Sequence, residues 1–108
     1  MSSTEISEEV AARQRRRARE MAIGEISRHI REESWPIRVG VDADLRDVWR
    51  RAEPVYDPSA ANGCVTRLDL ETETLLLARQ GGLVTCKPLE DRSQTDRRYI
   101  RNQVTTDE

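Results

Sequence analysis

The sequence predicts a small α+β domain, three helices plus a β-hairpin, with a long N-terminal helix. Three observations carry that expectation. The first third is free of proline until Pro36 and rich in helix formers. A short β-branched alternation follows at Pro36-Ile37-Arg38-Val39-Gly40-Val41, which reads as a strand. Further on, a leucine-rich run ends at Gly81-Gly82 and a second apolar run begins. The length of 108 residues suits one domain. Hydrophobic residues make up 36%, charged residues 35%, and phenylalanine is absent. Such a chain builds a small core and leaves part of itself extended or covered by another molecule, as in an obligate oligomer.

In order along the chain, residues 4–33 read as one helix, about 45 Å long if unbroken. Thr4 caps it, and Glu5, Glu8 and Glu9 favour its N-terminal dipole. Ala22, Ile23, Ile26 and Ile30 share the spacing of a buried face, whereas Arg13-Gln14-Arg15-Arg16-Arg17-Ala18-Arg19 has almost no apolar side. Residues 1–20 are therefore expected as a projecting helical arm that makes a homodimer or larger assembly. Residues 21–104 are expected as the folded domain, and 105–108 as a disordered tail. Trp35-Pro36 stops the helix. A second helix spans 42–52, capped by Asp44, with Leu45, Val48, Trp49 and Ala52 on one face. Two readings fit residues 65–80, and the helix is the preferred one. One is a helix over 66–80 closed by the glycine pair. The other is a hairpin of 65–71 and 74–79 around Glu71–Thr74.

Net charge is −2, but its distribution is uneven. Residues 12–31 hold seven arginines against two glutamates, and 92–101 hold four against one aspartate. Seventeen of the eighteen basic residues are arginine, Lys87 being the exception, a bias that a GC-rich genome explains most simply. The run at 13–19 reads as a solvated helix face, a phosphate-contacting arm or a partner interface.

No segment reads as a secretory signal, and no apolar run nears the ~20 residues that cross a bilayer, so a cytoplasmic chain is expected. Enzyme chemistry is not expected. The lone histidine, His29, sits beside Ile26 and Ile30 without an evident partner. Gly81-Gly82 lacks phosphate-loop spacing. Asp42-x-Asp44 is explained by helix capping before any metal, and no cofactor is implied. Cys64 and Cys86 lack metal-ligand spacing and read as inert thiols. Trp35 and Trp49 read as core.

The order helix, strand, helix, turn, helix, hairpin resembles the winged helix-turn-helix DNA-binding regulators. Leu75-Leu76-Leu77-Ala78-Arg79-Gln80-Gly81-Gly82-Leu83-Val84 carries the likeness, as the end of a recognition helix running into a wing. Thr85-Cys86-Lys87-Pro88 would continue the first wing strand, Glu90–Asp96 its tip, and Arg97-Arg98-Tyr99-Ile100 the return strand. The resemblance covers about 42–101 and implies a transcriptional regulator on duplex DNA. Arg67 would open the recognition helix, Arg92, Arg97 and Arg98 would lie on the wing, and Arg13, Arg15, Arg16 and Arg17 would add phosphate contacts. Asp69, Glu71 and Glu73 depart from the pattern, since carboxylates repel phosphates. They suit the alternative, a small viral or assembly protein that binds neighbouring subunits.

Overall fold

The computed structural model describes residues 8–26, 45–60 and 64–104. The elements run α1 (Glu8–Glu20), β1 (Glu25–Ile26), α2 (Leu45–Arg51), β2 (Glu53–Val55), β3 (Val65–Asp69), β4 (Thr74–Arg79), β5 (Gly82–Pro88), a single 3-10 turn (Leu89–Asp91) and α3 (Gln94–Val104). The class is α+β. Four antiparallel strands lie in the order β5-β4-β3-β2, and the two-residue β1 extends the β5 edge in parallel. The helix expected over 27–33, the strand over 36–41, His29, Trp35, Asp42 and Asp44 lie outside the described residues.

Residues 65–80 form a hairpin, not a helix. Leu75-Leu76-Leu77-Ala78 are all buried because helices cover both faces of the sheet. A central strand buried on both sides is continuously apolar and loses its alternation, which makes it imitate a helix. Leu76 and Ala78 face α1 and α2, with Val65, Leu83 and Cys86. Leu75 and Leu77 face α3, with Val55, Leu68, Leu89 and Ile100. The glycine pair closes no helix. Gln80 (φ 55°) and Gly81 (φ 81°) are the two left-handed residues of a tight turn between β4 and β5. That backbone matches the twist of a hairpin, and glycine adopts it without strain.

The expected return strand Arg97–Ile100 is helical as well. Ser93 caps α3: its Oγ accepts from the Asp96 N–H (3.2 Å) and its carbonyl from the Arg97 N–H (2.9 Å). Ile100 points into the core at zero exposure, flanked by Tyr99 and Val104 at helical spacing. The described residues form no wing, because those of its expected tip are a 3-10 turn and a helix cap.

The N-terminal helix ends at Glu20 and is seated on β2 and β3 instead of projecting as an arm. Ala11 and Ala18 are completely buried, and side chains this small let the helix backbone approach the sheet closely. What stops α1 is Arg67. Its Nε donates to the Ala18 carbonyl (2.9 Å), its Nη2 to Arg19 (2.9 Å) and its Nη1 to Trp49 (2.6 Å). Helix ends leave their last carbonyls without intrahelical partners, and here one guanidinium takes up three of them from two helices. The Trp49 ring lies 4.5 Å beneath the guanidinium carbon, and its own Nε1 donates to the Met21 carbonyl at 2.8 Å.

Replacing Arg67 removes a buried donor set from several acceptors at once. Arg67→Met is expected to destabilise the fold by about 3–5 kcal/mol, read from the urea midpoint. Arg67→Lys recovers little of it, because an ammonium cannot reproduce the planar fork.

Candidate functional site

The arginines singled out in the sequence divide into two groups, those with partners among the described residues and those without. Arg67 opens no recognition helix: it is a buried β3 residue whose N–H groups are spent on backbone carbonyls. Burial lowers its pKa from the usual value, Glu53 opposes that effect, and the like charge of Arg19 adds to it. Arg92 is no wing-tip residue. Its Nη2 donates to Asp57 Oδ2 at 2.7 Å and its Nε to both carboxylate oxygens, in a pair from which Asp57 is wholly shielded from solvent. Asp57 also accepts the Ser59 N–H, and Ser59 Oγ donates to Asp96. This network staples the loop after β2 to the start of α3. Arg15 is half-buried and donates to Gln103 Oε1 (3.0 Å). Gln103 in turn brackets the backbone of Tyr56, accepting its N–H and donating to its carbonyl, both at 2.8 Å.

Arg13, Arg16 and Arg17 lie exposed on the outer side of α1, the side turned away from β2 and β3. Arg97 and Arg98 stand on α3 with no ion pair or side-chain hydrogen bond to any described residue. Together with Gln94, Arg101 and Asn102 they line an open groove of about 330 Å³. Arg101 reaches back to Glu73 at the β3–β4 turn (3.0 Å), which anchors one wall of that groove to the sheet. The groove thus combines two uncommitted guanidiniums, a third that is anchored, and two primary amides. Bidentate anion contacts and amide hydrogen bonds to planar polar edges are the chemistry such a set performs. On the sheet face beneath α3, the register with Leu75 and Leu77 places Lys87, Thr85 and Arg79 as further polar positions. Sequence reasoning missed Gln94, Arg101 and Asn102. The Ser93–Asp96 capping spacing was the signal that would have placed them on one helix.

Tyr99 packs edge-to-face on Tyr56, with ring centroids 6.3 Å apart. Burial pushes its hydroxyl above the usual pKa, and Glu8 adds to the effect. Beside the opposite face, Arg51 donates two hydrogen bonds to Asp69 (2.9 and 3.0 Å) and pairs with Glu71. Burial alone would raise the Asp69 pKa. The bonds from Arg51 and Thr72 outweigh it and hold the carboxyl below its ordinary value. The acidic residues that depart from a recognition-helix pattern therefore have structural partners: Asp69 and Glu71 on Arg51, Glu73 on Arg101.

A family model described as "Putative RelE superfamily toxin domain" matches residues 26–90, more than half of the chain. No curated protein and no solved structure matches it. The family match overturns the resemblance to winged helix-turn-helix regulators, and with it transcription regulation on duplex DNA. It gives no support to the assembly-protein alternative either. The matched residues contain α2 and β2 to β5 and stop before α3, so the groove's arginines lie just beyond them. Among the described residues, no helix is long and apolar enough to cross a membrane.

Two outcomes follow from the ion pairs. The Asp69 carboxyl is held below its unfolded value, so its contribution to stability is complete above about pH 4 and is lost as pH falls through the folded value. Asp69→Asn should flatten the acid limb of a stability–pH curve measured by urea unfolding. For the buried pair, Asp57→Ala and Arg92→Ala should each cost about 3–5 kcal/mol, since each strands a charge. The double variant should cost clearly less than the sum, as a double-mutant cycle by chemical denaturation would read.

Proposed function

This chain belongs to the RelE superfamily toxin domain family, and from that membership we infer that it acts as a toxin, arresting the cell in which it is active. The match over residues 26–90 is the observation that carries this reading. The target we propose is RNA in a single-stranded stretch, held at the α3 groove.

Three features favour that target. Arg97 and Arg98 have no carboxylate partner among the described residues, so their charge is available to backbone phosphates at no cost of breaking an ion pair. Gln94 and Asn102 offer donors and acceptors to base edges beside them. The feature is also concave, and its volume of about 330 Å³ lies within the range of roughly 300–1,000 Å³ typical of small-ligand sites. A concavity of that kind admits a splayed nucleotide, whereas reading a duplex groove calls for a protruding element.

The test uses the full chain under an inducible promoter in a microbial host. Induction should halt growth, and Arg97→Ala combined with Arg98→Ala should restore it. Because neither side chain has a partner among the described residues, the variant's stability should stay within about 0.5 kcal/mol of the parent. Purified protein should bind a short single-stranded RNA with an affinity that falls steeply with salt. A denaturing gel of the same mixture reads whether the captured strand is cut. Unimpaired growth on induction, or equal arrest by the double variant, would overturn the reading.

A further inference from the structure

A second basic concavity lies against the opposite face of the sheet, where the segment after α1 crosses α2. Side-chain hydrogen bonds from α2 tie that segment to the helix. Trp49 Nε1 donates to the Met21 carbonyl, and Arg46 Nη2 donates to the Gly24 carbonyl, both at 2.8 Å. Between segment and helix a cavity of about 320 Å³ remains open, with Arg19, Arg46, Arg50 and Arg67 in its wall and Glu20 as the one carboxylate among the described residues that line it. Arg46 and Arg50 stand one turn apart on the same side of α2. Arg19 has no ion pair or side-chain hydrogen bond among the described residues. Among the described residues, Arg50 pairs only with exposed Asp47 on its own helix.

We propose that this cleft binds a small phosphate-bearing anion, held by Arg19 and Arg50 at its mouth and by Arg46 along its wall. The electrostatics favour such a ligand. Among the described residues no carboxylate is hydrogen-bonded to the buried Arg67, and the like charge of Arg19 beside it is opposed by Glu53. The C-terminal ends of α1 and α2 ordinarily repel anions. Here the carbonyls of Ala18, Arg19 and Trp49 already accept from Arg67, which leaves guanidinium N–H groups and not helix carbonyls as the dominant field at the cleft. Arginine forks match phosphate oxygens in a bidentate manner. Glu20 at the rim disfavours a long polyanion and favours a compact one.

The side-chain N–H of Trp49 is a reporter built into the floor of this site. In ¹H–¹⁵N spectra of the full chain, assigned with the help of Trp35→Phe, titration with pyrophosphate should shift the Trp49 indole signal saturably. Arg19→Ala combined with Arg50→Ala, both exposed and neither part of the core, should weaken that binding about 100-fold, or roughly tenfold for each charge-assisted hydrogen-bonding arginine removed. The Arg97→Ala, Arg98→Ala chain should keep the response in full, which separates this site from the α3 groove. A short single-stranded RNA that displaces pyrophosphate from the Trp49 signal would assign the bound phosphate to a polymer backbone, and failure to displace it would assign it to a free anion. No shift up to millimolar pyrophosphate, or an undiminished shift in the Arg19, Arg50 variant, would overturn the proposal.

Discussion

One guanidinium, that of Arg67, decides how the two helices on one sheet face are placed. It stands in the middle of β3, hydrogen-bonded to carbonyls of α1 and α2 that their own helices cannot satisfy. A buried cation without a carboxylate is ordinarily costly. Three carbonyl acceptors and the face of Trp49 offset that cost through hydrogen bonds and ring electrostatics. The ends of α1 and α2 must then meet at one point above β3. The chain leaving α1 is consequently drawn across α2, and Met21 and Gly24 are tied down there. The cleft between them is a by-product of that convergence.

The opposite sheet face depends on a different device. α3 contributes little apolar surface of its own, essentially Ile100 with the flanks of Tyr99 and Val104. Polar ties supplement it: Arg92 on Asp57, Ser59 on Asp96, Gln103 on the Tyr56 backbone and Arg101 on Glu73. In a chain without phenylalanine, a helix this polar is positioned by directional bonds as much as by burial. That leaves its outer side free for other uses, and Arg97 and Arg98 occupy it.

How far the sequence is legible follows from the same physics. The second helix can be read because Leu45, Val48 and Trp49 keep a helical period against one neighbour. The α+β class is legible for a similar reason, since residues 83–86 announce a strand. The β3–β4 hairpin is not, because burial on both faces erases the period on which the assignment rests. Either reading of 65–80 matches Leu75-Leu76-Leu77. The Ser93–Asp96 cap is visible but suits a loop tip equally well, since a polar stretch between two apolar ones is compatible with both. Arg97 and Arg98 stand out by charge alone, yet charge says nothing of the element that carries them, which is a helix and not a strand. The role of Arg67 cannot be inferred locally at all: its acceptors lie up to 49 residues away, and nothing near Val65 or Leu68 signals them.

Seventeen arginines in one small chain make composition a poor guide to function, and partnership a better one. Arg51, Arg67 and Arg92 each sit against an acceptor that would be stranded without them, so their loss shows up as instability. Arg19, Arg97 and Arg98 have no described partner, so their loss leaves the fold unchanged and alters only what the surface attracts. A cation kept exposed beside a concavity, with its neighbouring carboxylates already engaged elsewhere, does nothing for folding. The engagement of Asp69 and Glu71 by Arg51, and of Glu73 by Arg101, removes the very charges that would otherwise neutralise the basic surfaces. A chain of net charge −2 can therefore present basic concavities on both sides of its sheet, because Asp57, Asp69, Glu71 and Glu73 are paired with structural arginines while Arg19, Arg97 and Arg98 have no partner among the described residues.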